Sequence, residues 1–158
     1  MDTQTQAIEQ MLTNQPFLQG IPPAKLAAIA ECAHPVTFRA DEYLFHEGAP
    51  ANHFYIITHG KVALEVHMPG RGAQTIQTVS DNEVLGWSWL FAPYRWHFDA
   101  RALTLVRATA FDGACLRGKC EGDPRLGYEL MSRFAQVVIE RLQWTRLRLL
   151  DVYGDGRR

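Results

Sequence analysis

The chain has 158 residues, of which 47% are hydrophobic and 21% charged, and its formal net charge is −1 at pH 7. This length indicates one domain with a core of its own, and the composition excludes a disordered chain. The near-neutral charge excludes a general electrostatic attraction to nucleic acid or to anionic membranes. No apolar run approaches the ~18 residues of a membrane span, and the N-terminus does not resemble a signal peptide. We therefore expect a cytoplasmic protein.

The N-terminal part of the chain has helical spacing. Ile8, Met11 and Leu12 share one face of a short helix, and Pro22 and Pro23 suit the first turn of another. This pattern predicts helices over residues 5–34, ending before Pro35.

From residue 36 to residue 112 the apolar pattern changes to period two or to short runs, which predicts a series of strands. Turn residues separate these runs, and those at Pro69–Gly72 predict a hairpin. Many short strands joined by such turns indicate a sandwich or barrel. The predicted strands are Val36–Arg39, Tyr43–Phe45, Asn52–Thr58, Lys61–Met68, Ala73–Val79, Ala100–Thr104 and Val106–Phe111.

A tryptophan-rich stretch, Val84–Leu103, interrupts the strands. It holds three of the four tryptophans, Trp87, Trp89 and Trp96, and is too irregular for a strand. These rings either fill a local core or line a pocket.

The last predicted element is a long helix over residues 123–153, with Asp123 as N-cap and Pro124 in the first turn. It has two apolar stripes. One stripe can cover the strands, and the other predicts a homodimer through the same helix of a second copy. The alternative is that both stripes pack within one subunit. Residues 154–158 are expected to form a flexible tail. The predicted dimer stripe is Met131, Ala135, Val138, Leu142, Thr145 and Leu149, and the second stripe is Leu130, Phe134, Val137 and Trp144.

Helices, short strands and one long helix follow the order of the cyclic nucleotide-binding domain family, and several motifs resemble it as well. The chain is most similar to the sensor half of the bacterial Crp/Fnr regulators. The resemblance implies an α+β, mainly β fold, a double-stranded β-helix jelly roll, with residues 1–153 as a single domain. The motifs that carry it are Pro16–Pro22 with Leu26, Phe45–Gly48, Phe54–Ile57, Gly60–Val62 and Leu85–Gly86.

Departures from the family pattern lie in the phosphate-binding cassette. The resemblance implies a Glu after Gly86 for the ribose hydroxyl and an Arg further along for the cyclic phosphate, followed by a small residue. Here these three positions are Trp87, Trp96 and His97. An indole has one donor and no charge, so it does not replace either group. Asp41 and Asn82 stand where the family commonly has glycine, and both residue types tolerate positive φ.

Three interpretations of this cassette remain open from the sequence. The tryptophans fill the pocket, or they wall a site for a different ligand, or Arg95 holds a cyclic nucleotide from a shifted position. His97 contacts an anion only when it is protonated, and Arg101 fits a strand better than a site. The candidate ligand-binding residues are Gly86, Trp87, Ser88, Trp89, Arg95, Trp96, His97 and Phe98.

Other chemistries find little support in the sequence. Cys32, Cys115 and Cys120 predict free thiols, and the six histidines lack a metal-ligand spacing. We predict no metal, no cofactor and no catalytic site.

The predicted function is a non-enzymatic regulatory or sensor module with an unidentified protein partner. Since no helix-turn-helix follows the long helix, direct DNA binding is not expected. Arg141, Arg146 and Arg148 are interpreted as solvated or dimer-flanking charges.

Overall fold

The computed structural model describes residues 3–155, except for the side chains of residues 148, 149 and 151–155. Two helices come first, α1 (Thr3–Thr13) and α2 (Pro23–Ala30), separated by a 3₁₀ turn at Pro16–Leu18. A second 3₁₀ turn, Ser88–Leu90, lies between the sixth and seventh strands. The remaining elements are β1 (Ala33–Phe38), β2 (Tyr43–Phe45), β3 (His53–His59), β4 (Val62–Met68), β5 (Gly72–Val79), β6 (Val84–Leu85), β7 (Asp99–Ala102), β8 (Val106–Asp112), α3 (Gly113–Gly122) and α4 (Pro124–Asp155).

The eight strands form two four-stranded antiparallel sheets, with the orders β1-β8-β3-β6 and β2-β7-β4-β5. Successive strands alternate between the two sheets except at the β4–β5 hairpin, where Met68 pairs with Gly72. This arrangement is a jelly roll. The fold class and the hairpin predicted from the sequence are confirmed.

Strand β3 shows how the sequence builds two cores. Its side chains alternate, as the period of a strand requires. Phe54 and Ile56 face the helices, whereas Tyr55 and Ile57 face the inside of the roll. Because both faces are covered, the strand has a continuous apolar run rather than an apolar–polar alternation.

Strand β1 begins earlier than the sequence predicts. Residues 33 and 34 belong to the strand, not to the helical segment, and Pro35 lies within it opposite Thr109. The strand is at the edge of its sheet, so the missing N–H of proline leaves no ladder bond unmade. Proline was interpreted as a helix stop, but here it marks an edge strand.

Helix α3 was not predicted. Its N-cap is Asp112, whose Oδ1 accepts a hydrogen bond from the Cys115 N–H at 2.7 Å. The helix contains three glycines, Gly113, Gly118 and Gly122, which weaken the helical pattern in the sequence.

Helix α4 begins where the sequence predicts. The Asp123 carboxylate accepts from the Leu126 N–H at 3.3 Å and pairs with Lys25 at 2.6 Å. The helix continues through Asp155, so Gly154 does not end it and the predicted tail is wrong for residues 154 and 155. Residues 156–158 of that tail lie outside the described residues.

The two apolar stripes of α4 have different surroundings. Leu130 and Phe134 are fully buried in the helix-facing core, whereas Trp144 on the same stripe is 54% exposed. On the predicted dimer stripe, Met131 is 44% exposed and Leu142 is 59% exposed. The side chain of Leu149 is outside the description.

Cys32 and Cys115 form a disulfide, which corrects the prediction of free thiols. Cys32 immediately precedes β1, and Cys115 lies in the first turn of α3. The two are 83 residues apart in sequence, so their spacing gave no signal of pairing. Cys120 is free.

None of the helices within residues 3–155 is long and apolar enough to cross a membrane. In the same part of the chain, no group of three or more His, Cys, Asp or Glu residues is placed to hold a metal ion.

Candidate ligand-binding site

The backbone that opens the cassette is set by a tight turn. Asn82 adopts φ 66°, and Asp41 adopts φ 73° in another turn, as their tolerance of positive φ predicts. The Glu83 carboxylate accepts from both the N–H and the hydroxyl of Ser80. The chain then enters β6 and reaches Gly86.

Gly86 has two reasons to be glycine. Its φ is 101°, which side chains rarely adopt. A Cβ at this position would also lie 2.8 Å from the Trp96 ring. The backbone at Gly86 and the indole of Trp96 are therefore in direct contact.

Trp96 lies inside the roll and is only 4% exposed. Its ring is stacked on Phe45, with centroids 3.6 Å apart and planes 7° from parallel. Phe98, also buried, has its ring centroid 5.7 Å from that of Phe45. The place that the family resemblance assigns to a phosphate-binding arginine thus holds an indole in an apolar cluster.

Trp89 lies in the other core and is fully buried. It packs between Phe54 at 5.1 Å and Phe134 of α4 at 5.4 Å. Its Nε1 has no hydrogen-bond partner among the residues that the structure describes. Trp89 connects the cassette directly to the C-terminal helix.

Trp87 is partly buried and lies between the roll and α4. Its ring centroid is 5.3 Å from that of Phe98, and the Arg141 guanidinium lies over the ring, 5.2 Å from the same centroid. These three residues line a cleft of about 250 Å³ together with Val138 and Leu142 of α4. The cleft is smaller than the usual range of ~300–1,000 Å³ for ligand sites.

The residues of the cassette loop are held by polar contacts. The buried Ser88 Oγ is 3.0 Å from Nδ1 of the exposed His97. The backbone of Trp96 makes hydrogen bonds with Gly48 and Ala49, and the Tyr94 carbonyl accepts from Ala51. The loop is therefore paired to the segment after β2.

Neither alternative arginine is directed at Gly86. Arg95 is exposed, and its Nη1 donates to the Gly48 carbonyl at 3.2 Å. Arg101 lies in β7 and pairs with Glu65 and Asp41, both at 3.0 Å. The hydrogen bond with Glu65 raises the pKa of Arg101. The interpretation of Arg101 as a strand residue agrees with this position.

Arg141 corrects the sequence interpretation. It is 8% exposed rather than solvated, and its Nη2 donates to the Val84 carbonyl at 2.7 Å. Burial lowers the pKa of Arg141 to about 10, although nearby Glu83 and Glu140 oppose the shift. Arg146, by contrast, is exposed as predicted, and the side chain of residue 148 is not described.

Sequence reasoning also missed Arg117, which donates to the Trp89 carbonyl and lies 4.2 Å over the Tyr94 ring. Arg117 and Arg141 both support the cassette from helices outside it. No local motif marks such residues, because their partners are distant in sequence.

A family model described as the cyclic nucleotide-binding domain matches residues 35–123. The chain belongs to this family. As predicted, its relatives are named as regulators rather than enzymes. Over 145 residues it is 27% identical to a CRP-like cAMP-activated global transcriptional regulator of Mycobacterium tuberculosis. The match covers 92% of this chain and 63% of that protein, so the chain spans less than two thirds of its relative.

Solved structures share the fold. A cyclic nucleotide-binding protein of Geobacter metallireducens GS-15 superposes with a TM-score of 0.77 at 27% identity, covering 86% of this chain and 98% of the other. The regulatory subunit of a cAMP-independent protein kinase A from Trypanosoma cruzi, bound to guanosine, has a TM-score of 0.64 at 21% identity. That superposition covers 87% of this chain and 50% of the other.

Proposed function

We propose that this chain is a regulatory sensor module that does not bind cyclic AMP through the Glu/Arg pair of its family. The observation that carries the proposal is the Trp96 indole, which packs flat on Phe45 and against Gly86. A cyclic phosphate bound beside Gly86 would have to displace this ring. It would then lie in an apolar cluster, where a charge without a cationic partner is strongly disfavoured.

A shifted Arg95 is the weaker alternative. To reach a ligand beside Gly86, Arg95 would have to leave its bond to Gly48, and the backbone pairing of the cassette loop would have to change. Rearranging this loop would also expose Trp96.

A different ligand in the aromatic cleft between Trp87 and Phe98 is the second candidate. These rings lie 5.3 Å apart and are tilted by 57°, and two aromatic walls of this kind suit a flat apolar group. The cleft volume of about 250 Å³ restricts such a ligand to a small ring unless α4 moves. Guanosine, which the Trypanosoma cruzi protein binds, is a reasonable probe because it has no phosphate.

Regulation would pass from the cassette to α4 through Trp89. This ring contacts Phe134 directly, so displacement of the 3₁₀ turn at Ser88–Leu90 would change the packing of the helix. We propose that α4 carries the signal to a second copy, to an unidentified protein partner, or to both.

The dimer proposal rests on the exposed apolar stripe of α4. Met131 and Leu142 are both large and exposed, at 44% and 59%, and Ala135 between them permits close approach of another helix. A two-fold pairing would cover the same stripe on both copies.

The cytoplasmic location and the absence of direct DNA contact also remain proposals. The Cys32–Cys115 disulfide bears on the first, because disulfides persist mainly in oxidising compartments. Thiol labelling of the protein directly after cell lysis would distinguish an oxidised pair from a reduced one in the cell.

Isothermal titration calorimetry with cyclic AMP and cyclic GMP tests the main proposal. We expect no binding tighter than the millimolar range, and micromolar binding would contradict the proposal. In that event, the variant Arg95→Ala decides between mechanisms. Loss of binding with an unchanged fold would assign the phosphate to Arg95.

A further inference from the structure

A second cleft, of about 480 Å³, shares Arg141 and Gln77 with the aromatic cleft beside Trp87. Its walls come from α4, from the 3₁₀ turn at Pro16–Leu18 and from the turn that precedes β6. The volume falls within the ~300–1,000 Å³ usual for ligand sites. Neither Gly86 nor Trp96 lines it, so it does not include the position that the family resemblance assigns to the phosphate.

Arg141 lines this cleft, and two of its nitrogen atoms have no hydrogen-bond partner among the described residues. Only Nη2 has a partner, the Val84 carbonyl, whereas Nε and Nη1 are buried without a partner among the described residues. A guanidinium has five N–H donors, and leaving them unpaired in a protein interior is costly. The side chain is therefore suited to an additional acceptor.

The other charges of the cleft indicate what kind of acceptor fits. Arg133 already donates to Glu129 and to the Gln19 carbonyl, so Arg141 is the cation with donors to spare. Glu83 and Glu140 also line the cleft, and both interact electrostatically with Arg141. Two arginines and two glutamates make the lining neutral. A doubly charged anion is disfavoured there, whereas a ligand with one charge of each sign is matched.

Gln77 adds a buried acceptor. Its Oε1 has no hydrogen-bond partner in the described part of the chain, and the residue lines the cleft beside Arg141. A buried amide oxygen of this kind is stabilised by an N–H donor from a ligand.

We propose that this cleft binds a small zwitterion of the α-amino acid class, with its carboxylate on Arg141 and its ammonium group on Gln77 and the glutamates. Carboxylates pair with guanidinium groups through parallel hydrogen bonds. In this conformation Nε and Nη1 of Arg141 and Oε1 of Gln77 are all covered. Binding therefore requires both side chains to turn toward the cleft, and the guanidinium to turn away from Trp87. The inference goes beyond the proposed function, because neither Gly86 nor Trp96 lines this cleft, although it shares Arg141 and Gln77 with the aromatic cleft beside Trp87.

Fluorine NMR of the full chain, labelled with 5-fluorotryptophan, tests the proposal. The Trp87 resonance is assigned from a Trp87→Phe variant, and the probes are the twenty free L-amino acids, first pooled and then singly. We expect at least one amino acid to shift the Trp87 resonance saturably. At ~100 times its Kd the same amino acid should raise Tm by roughly 5 °C or more.

Matched variants separate binding at Arg141 from a general charge effect. Arg146→Leu removes an exposed arginine from the same helix and should bind like the parent. Arg141→Lys keeps the charge but loses the planar fork, and it should weaken binding at least ~10-fold. Should Arg141 variants fail to fold, Gln77→Leu provides an independent variant with the same expected weakening.

Three results would overturn the proposal. The first is that no amino acid shifts the Trp87 resonance. The second is that acetate or inorganic phosphate alone produces the same saturable shift. The third is that both Arg141→Lys and Gln77→Leu bind as tightly as the parent. Binding of a cyclic nucleotide at the cassette is followed separately, at the Gly86 amide of the ¹⁵N-labelled protein. Failure of one proposal therefore does not imply failure of the other.

Discussion

Gly86 and Trp96 depend on each other. The glycine gives the backbone a φ of 101° and leaves space for the indole, and the indole occupies the volume beside the glycine. In the family pattern that the chain resembles, this glycine opens the phosphate-binding cassette. Here the same freedom of the backbone accommodates an aromatic ring stacked on Phe45.

Replacing Gly86 with alanine should therefore destabilise the protein for two reasons, the positive φ and the contact with Trp96. We expect Gly86→Ala to lower the free energy of unfolding by roughly 2–5 kcal/mol. Gly48→Ala is the matched control, because Gly48 has φ 84° but open space at its Cβ position. It should cost about 1–3 kcal/mol. Urea denaturation of both variants measures the difference, and equal losses would contradict the contact with Trp96.

Sequence reasoning found part of this site at the level of residues. Trp87 and Trp96 were recognised as unusual because they occupy motif positions that can be counted from Gly86. Arg141 was misinterpreted because charge and helical position do not reveal burial. Its partners, the Val84 carbonyl and the Trp87 ring, are more than fifty residues away in sequence.

At the level of elements, periodicity predicted the strands and α4 well because these segments are long or strongly patterned. Helix α3 was missed because its glycines dilute the helical signal, and β6 was missed because it has two residues. The predicted start of β1 was wrong because Pro35 was interpreted as a helix end, and a proline is equally compatible with an edge strand.

The disulfide joins Cys32, directly before β1, to Cys115 in α3, across 83 residues of sequence. By the chain-entropy model, a loop of this length contributes about 4–5 kcal/mol to stability. We expect a reducing agent to lower the urea midpoint of the parent protein and of Cys120→Ser by the same amount. Cys115→Ser should have a lower midpoint that does not respond to reductant. A parent midpoint that is unchanged by reduction would argue against the bond.

For the whole molecule, the jelly roll was predictable from the order of elements and from the motifs that resemble the family. The two cores follow from β3, whose side chains alternate between the helices and the inside of the roll. The oligomeric state is less predictable. An exposed apolar stripe indicates that a partner covers it but does not identify that partner.

The homodimer is tested by placing a charge on the predicted stripe. Leu142 is 59% exposed, so Leu142→Glu should leave the monomer fold intact and prevent pairing. Gln143→Glu introduces the same charge at the next, exposed position and should remain dimeric. Light scattering measures both. A monomeric parent protein would refute the dimer.

The occupation of the cassette by Trp96 is the central claim for the molecule as a whole, and NMR tests it most directly. Cyclic AMP is titrated into the ¹⁵N-labelled protein while the Gly86 amide and the Trp96 indole N–H are followed. If the indole occupies the phosphate position, neither signal should move below millimolar concentrations of the nucleotide. A saturable micromolar shift of both signals would show that the ring gives way to the ligand, and it would contradict the account.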